Sequence, residues 1–232
     1  MRTPSAIMAA LCGASLLLLA QAPSASGGLN LVATTANVSG AGDSVRFEIL
    51  RWSTNEERDT LLAAWELKST AAASAAKGGA GAAKAGAGKG AAKGKGPAPA
   101  SAANSITPEA SLAKALQDAT TAGYLWSSEM AGYAIRYAGK VGNPDGSQRI
   151  ILITQRRLGA VNQLWNPTFE GTPNTDEFSV IELRLNAKGE GEGKVSLVGK
   201  AAADAAAKMV TLENYNALPA VFRNVRMQAG KP

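Results

Sequence analysis

The sequence predicts an α+β fold in which an antiparallel sheet of about eight strands curves into a barrel-like form, with two helices packed on one side or end. A β-sandwich with helices is the alternative. Three observations carry this. Apolar and polar residues alternate with period two in several short runs, as in Val45, Phe47 and Ile49 against Arg46 and Glu48. The runs are joined by turn sequences such as Asn143-Pro144-Asp145-Gly146, which make hairpins. No strand-helix-strand alternation is present, so a parallel sheet is not expected, and a sheet of this many antiparallel strands removes its edges by curling or doubling.

Leu29 to Asn37 and Val45 to Trp52 form the first hairpin, across Ser39-Gly40-Ala41-Gly42-Asp43. Ser53 or Thr54 then caps a helix, with Glu56 or Glu57 closing a capping box and Leu61, Leu62 and Trp65 as its apolar stripe, to about Lys68. Thr107-Pro108-Glu109 opens the second helix, which carries Leu112, Ala115, Leu116 and Ala119 on one face and stops near Gly123. Tyr133, Ile135 and Tyr137 alternate with Ala134, Arg136 and Ala138, and Arg149 to Thr154 returns beside them. Phe178 to Leu185 pairs with Lys194 to Val198 across a Gly-Glu turn, and Met209 to Asn214 and Val221 to Met227 complete the set.

Residues 1–26 have the layout of a secretory signal peptide: Arg2, an apolar run from Ala6 to Ala20, then Ala22, Ser24, Ala25 and Ser26. The run is too short, and too broken by Gly13 and Ser15, for a stable membrane span. The expected location is therefore secreted or periplasmic. Cys12 is the only cysteine and lies inside that run, so it is not a lipidation site, and the chain has no histidine. A mature chain without Cys or His excludes disulfides, thiolate nucleophiles, Cys/His zinc sites and histidine triads. No cofactor and no metal are expected.

From Ala71 to Ala103 the chain uses only Ala, Gly, Lys, Pro and Ser, a composition that cannot offset its own ordering entropy. Residues 70–105 are read as a disordered insertion in a single domain whose parts are 27–69 and 106–228, with 229–232 as a tail. The net charge of +6 is accounted for by Arg2 and by Lys77, Lys84, Lys89, Lys93 and Lys95, and all other charges balance. Those lysines provide a spacer with weak attraction for an anionic cell-envelope polymer; without interleaved aromatics, and after export, nucleic acid is not an expected partner. Gly86-Ala87-Gly88-Lys89-Gly90 is not a phosphate loop, because Ala83 and Gly90 stand where glycine and Ser/Thr are needed.

The order Arg51-Trp52-Ser53-Thr54, Glu57-Arg58-Asp59, Leu61, Gly123-Tyr124-Leu125, Arg149 to Arg157, the glycines from Gly189 to Gly193, and Glu213-Asn214-Tyr215 resembles a family of uncharacterised secreted bacterial proteins. The resemblance spans both parts of the domain but not the lysine-rich insertion, and it implies no activity.

Trp126, Arg156, Arg157 and Trp165 form the candidate ligand-binding set, since aromatics and arginines at strand ends and in the 159–175 loop are what a ligand cup uses. Tyr124, Tyr133 and Tyr137 accompany them, with Tyr133 and Tyr137 on the apolar phase of their strand and so assigned to the core. Ser111-Leu112-Ala113-Lys114 matches a Ser-x-x-Lys nucleophile pattern but lacks the partner motifs, and Ser74-Ala75-Ala76-Lys77 matches equally. The carboxylates Glu48, Asp176, Glu177, Glu182, Glu190 and Glu192 read as solvated surface. The leading expectation is an exported, non-enzymatic domain that binds a small apolar or anionic ligand or an envelope partner. The alternatives are a hydrolase using carboxylates or Ser111 and Lys114, and a structural or interaction module.

Overall fold

The structure, a computed structural model, describes residues 28–77 (backbone alone over 67–77), 107–127, 132–160 and 164–228. The expected signal peptide, Cys12 and Lys84 to Lys95 lie outside the described residues. In chain order the elements are β1 (Leu29–Thr35), the short β2 (Val38–Ser39), β3 (Ser44–Ile49), α1 (Asn55–Lys77), α2 (Pro108–Asp118), β4 (Gly123–Trp126), β5 (Gly132–Gly142), β6 (Gln148–Thr154), the short β7 (Asn166–Pro167), β8 (Val180–Leu185), β9 (Glu190–Val195), β10 (Ala201–Asp204), β11 (Met209–Leu212), a 3-10 turn at Tyr215–Ala217, and β12 (Phe222–Gln228). Strands β1, β3, β4, β5, β6, β8, β9 and β12 pair antiparallel, each with the next, and β12 pairs back with β1 to close an eight-stranded barrel. Closure leaves the barrel itself without a free edge; the two-stranded sheets β2–β7 and β10–β11 lie outside it. Residues on both sides of 78–106 contribute, since β3 pairs with β4 and β1 with β12.

The alternating side chains fill the inside of the barrel: Leu31, Val45, Phe47, Ile49, Leu125, Ile135, Ile150, Leu152, Ile181, Leu183, Phe222 and Val225 are all buried in one cluster. A second cluster lies on the outer side of β5, β6 and β8, where Leu61, Leu112 and Leu116 from the helices and Met209, Val210 and Leu212 from the β10–β11 hairpin cover Tyr137, Ile151, Ile153 and Val180. Strand β6 is therefore apolar on successive residues, because both of its faces are buried. The outer face of β1, β3 and β12 keeps Thr34, Arg46, Arg223 and Arg226 exposed. Among the described residues no helix is long and apolar enough to cross a membrane.

Thr54 and Glu57 form the capping box of α1: the Glu57 N–H donates to Thr54 Oγ1 (3.2 Å) and the Thr54 N–H to Glu57 Oε2 (2.8 Å). Arg51 donates to both oxygens of Glu57 at 2.8 Å, and this pairing holds the Glu57 carboxyl below the usual carboxylate range. Thr54→Ala should cost about 1 kcal/mol in denaturant unfolding; an unchanged midpoint would show that the cap is dispensable.

Several boundaries differ from the sequence-based expectation, each for a physical reason. Helix α1 continues to Lys77, past Lys68 and into the expected insertion, because Ala71 to Ala73, Ala75 and Ala76 have the highest helix propensity. Thr107 caps α2 as expected, accepting from the Ala110 N–H (3.2 Å), but the helix ends at Asp118. Gly123 opens β4, where a Cβ would come within 2.9 Å of Ile49 Cα, so this glycine permits close strand approach and does not stop a helix. The Gly-Glu segment is strand β9, and Met209–Leu212 belongs to the outer hairpin β10–β11, not to the barrel. A register shift between Ile135 and Tyr137 separates the two tyrosines: Tyr133 packs with the barrel interior and Tyr137 with the helix side. Burial there pushes the Tyr137 hydroxyl up to about 12.

Candidate functional site: an outer groove backed by a charged cluster

On β8, Ile181, Leu183 and Leu185 point into the barrel, which turns Glu182 and Arg184 outward. The β10–β11 hairpin folds over that outer side, and Glu182 is 0 % exposed. Its Oε1 accepts from Arg184 Nε at 2.9 Å and is ion-paired with Arg184 Nη2 at 2.9 Å, and its other oxygen accepts from the Thr211 hydroxyl. Arg149 Nε stands 4.0 Å from Glu182 Oε1, and Arg149 Nη2 donates to Asp204 Oδ2 at 2.8 Å. The Asp204 carboxyl lies below its usual range, first because it accepts the Ala207 N–H and second because it pairs with Arg149. A buried carboxylate is tolerable only with such pairing.

The 3-10 turn places Tyr215 against the same cations. The Arg184 guanidinium carbon sits 3.5 Å from the Tyr215 ring centroid and Lys194 Nζ 4.4 Å from it, while Lys194 Nζ donates to the Tyr215 carbonyl at 3.0 Å. Lys194 is only 7 % exposed. Burial raises the pKa of the Tyr215 hydroxyl, so it stays neutral, and both its oxygen and Arg149 Nε are buried without a hydrogen-bond partner.

Arg184 separates two cavities. One is a groove of about 860 Å³ lined by Asn37, Asn186, Glu192, Lys194, Arg223 and Asn224; the other is a pocket of about 390 Å³ bordered by Arg149, Asp204, Thr211 and Asn214. Arg223 is exposed and, among the described residues, makes no ion pair, whereas Glu192 lies 3.8 Å from Lys194. The groove thus offers guanidinium and amide donors, with carboxylate acceptors at its border, and can hold an oxyanion on a polar frame.

Arg156 and Arg157 line a different groove, about 450 Å³, with Gln117, Gln155, Asp176 and Glu177. Arg157 Nη1 donates to the Asn174 carbonyl (3.2 Å), Arg156 is exposed, and burial raises the Asp176 carboxyl. Trp165 is 1 % exposed in the barrel interior, its ring 5.8 Å from Phe222 and 6.5 Å from Tyr133. Trp126 lies on the outer face of β4 and donates its indole N–H to Glu48 Oε2 (3.1 Å). Neither tryptophan lines the Arg156/Arg157 groove, so the structure does not bring the four together. Ser111 is half-buried and Lys114 exposed on α2, and no hydrogen bond joins their side chains. Among the described residues no group of three or more His, Cys, Asp or Glu could hold a metal ion.

Sequence reasoning missed Glu182, Arg184, Lys194 and Tyr215. The polar phase of β8 predicts Glu182 on the solvated surface, and the structure corrects this because the β10–β11 hairpin covers that phase. The one local signal is the Glu182-x-Arg184 spacing, which puts opposite charges on one face of a strand.

In comparisons with known proteins, no family model matches the chain, no curated protein is similar to it, and no solved structure matches it. Fold and site together define a closed antiparallel barrel with a packed interior and a polar groove on its outer wall.

Proposed function

We propose that the protein is an exported, non-enzymatic binding domain that takes an anionic ligand or envelope partner in the groove outside the barrel. One observation carries the reading: Arg184 and Arg223 border an 860 Å³ groove, Arg223 without an ion-pair partner among the described residues, while Phe47, Phe222 and Trp165 occupy the barrel interior. That packing favours the anionic over the apolar ligand, because an apolar guest would have to displace core side chains. Export rests on the layout of residues 1–26, and the lysines of the 78–106 segment add long-range attraction toward an anionic surface.

Arg223→Glu is the test, since Arg184 also balances buried Glu182 and its loss would disturb the fold. With citrate, inorganic phosphate and oligouronates as probes in titration calorimetry, the variant should lose affinity by about tenfold or more, the value of one charge-assisted contact of roughly 1.5–3 kcal/mol. Equal affinity of variant and parent for every anion bound would overturn the groove assignment.

A further inference from the structure

The half of the barrel that the helices and the β10–β11 hairpin leave uncovered carries an aromatic floor. Tyr124 and Trp126 are two residues apart on β4, so both face outward, and their rings lie 5.5 Å apart at 36°. A Cβ at Gly132, directly across on β5, would come within 2.8 Å of the Trp126 ring; the indole therefore lies flat over glycine backbone. Both side chains remain partly exposed. Aromatic surface left in water gains nothing from folding, and in combination with arginine it is typical of recognition surfaces.

The register defines what surrounds this floor. Trp126 is beside Arg46, Arg46 beside Val32, and Val32 beside Arg226 on β12; the next row runs Tyr124, Glu48, Asn30, Gln228. The Arg46 guanidinium carbon is 6.0 Å from the Trp126 ring centroid, and neither Arg46 nor Arg226 forms an ion pair among the described residues. From β4 to β12 the face is about 14 Å wide. It presents flat apolar faces on β4 with Arg46 beside Trp126, a carboxylate and an amide on β3 and β1, and Arg226 at the far side.

We propose that this face binds an acidic polysaccharide, the C–H faces of its sugar rings stacking on Tyr124 and Trp126, its hydroxyls meeting Glu48 and Asn30, and its acidic groups pairing with Arg46 and Arg226. The inference rests on the reading that the outer wall recognises an anionic envelope partner, and it names that partner's chemistry. A peptide would need a free strand edge or an apolar groove, and the barrel is closed. A single-stranded nucleic acid also stacks on aromatics, but its phosphates offer no donor to Glu48, in the Tyr124 row, or to Glu190, beside Arg226, whereas sugar hydroxyls can donate to both.

The full chain is titrated with short alginate oligosaccharides, with neutral maltooligosaccharides and with an oligothymidylate, following tryptophan fluorescence and calorimetry. The oligouronate should bind and perturb the fluorescence. Trp126→Ala and Tyr124→Ala should each weaken it about tenfold with unchanged circular dichroism and melting temperature, and Arg46→Ala with Arg226→Ala should weaken the uronate while leaving any maltooligosaccharide binding unchanged. Uronate affinity that Arg223→Glu lowers and Trp126→Ala leaves intact would overturn this inference and leave the groove reading standing. No uronate binding, or tighter binding of oligothymidylate, would also overturn it, and the groove reading is then decided separately by citrate and phosphate.

Discussion

Glu182→Ala is expected to destabilise the protein by about 3 kcal/mol in denaturant unfolding. Removing one partner of a buried ion pair typically costs about 3–5 kcal/mol, because the other charge is left in a poor solvent. Glu182 is 0 % exposed, while the Arg184 side chain is 44 % and the Arg149 side chain 22 % exposed, so the arginines can rehydrate in part and the lower end of that range applies. The Thr211 hydroxyl also loses its acceptor, and Arg149 Nε, already without a hydrogen bond, loses the carboxylate 4.0 Å away. Glu182→Gln keeps shape and an acceptor for Thr211 while removing the charge, so it should fall between parent and alanine variant. A loss below about 1 kcal/mol, the level of an exposed ion pair, would mean that the β10–β11 hairpin does not seal this side of β8.

The barrel was legible because its signal is local. Phe47 and Ile49 alternate with Arg46 and Glu48 in the letters themselves, and Asn143 to Gly146 announces the hairpin between β5 and β6. What the letters did not carry is which element covers which. Strand β4 is four residues long and is separated from α2 by only four residues, so it has too few alternations to stand out from the end of that helix. Strand β9 contains Gly191 and Gly193, which lower strand propensity yet are required here: Gly193 lies against Phe222 and Gly191 against the Arg184 carbonyl. The bulge in β5 moved Tyr137 to the opposite face from Tyr133, and a shift of one residue leaves no composition signature.

The same distinction governs the site. Arg156, Arg157, Trp126 and Trp165 are chemically apt for one site and near strand ends in the sequence, but proximity in a barrel depends on which wall and which end each strand reaches. Arg184 and Lys194 meet over Tyr215 through β8, β9 and the turn after β11, segments whose union depends on barrel closure and on a hairpin folding back over it. A two-residue spacing such as Glu182-x-Arg184 tells that the charges share a face; it does not tell that the face is buried.

Phe222→Ala should be the most destabilising change inside the barrel, about 3–5 kcal/mol, and it decides whether the interior is a core or a ligand cup. Phe222 is 0 % exposed, meets Phe47 edge-on with ring centroids 5.0 Å apart and Trp165 at 5.8 Å, and packs over Gly193. Truncation removes these contacts and leaves a void whose walls, drawn from β1, β3, β9 and β12, are fixed by hydrogen-bonded neighbours and cannot collapse freely. Trp165 provides a second readout, since its indole would lose a packing partner and its fluorescence should shift. A hollow, ligand-holding barrel makes the contrary forecast: removing a wall residue would cost under about 1 kcal/mol and would enlarge a site that already takes apolar guests. A small loss accompanied by tighter binding of an apolar dye would therefore make the barrel interior a ligand cup and count against the proposed groove site, whereas a large loss in a protein that binds no such dye shows the interior to be a packed core.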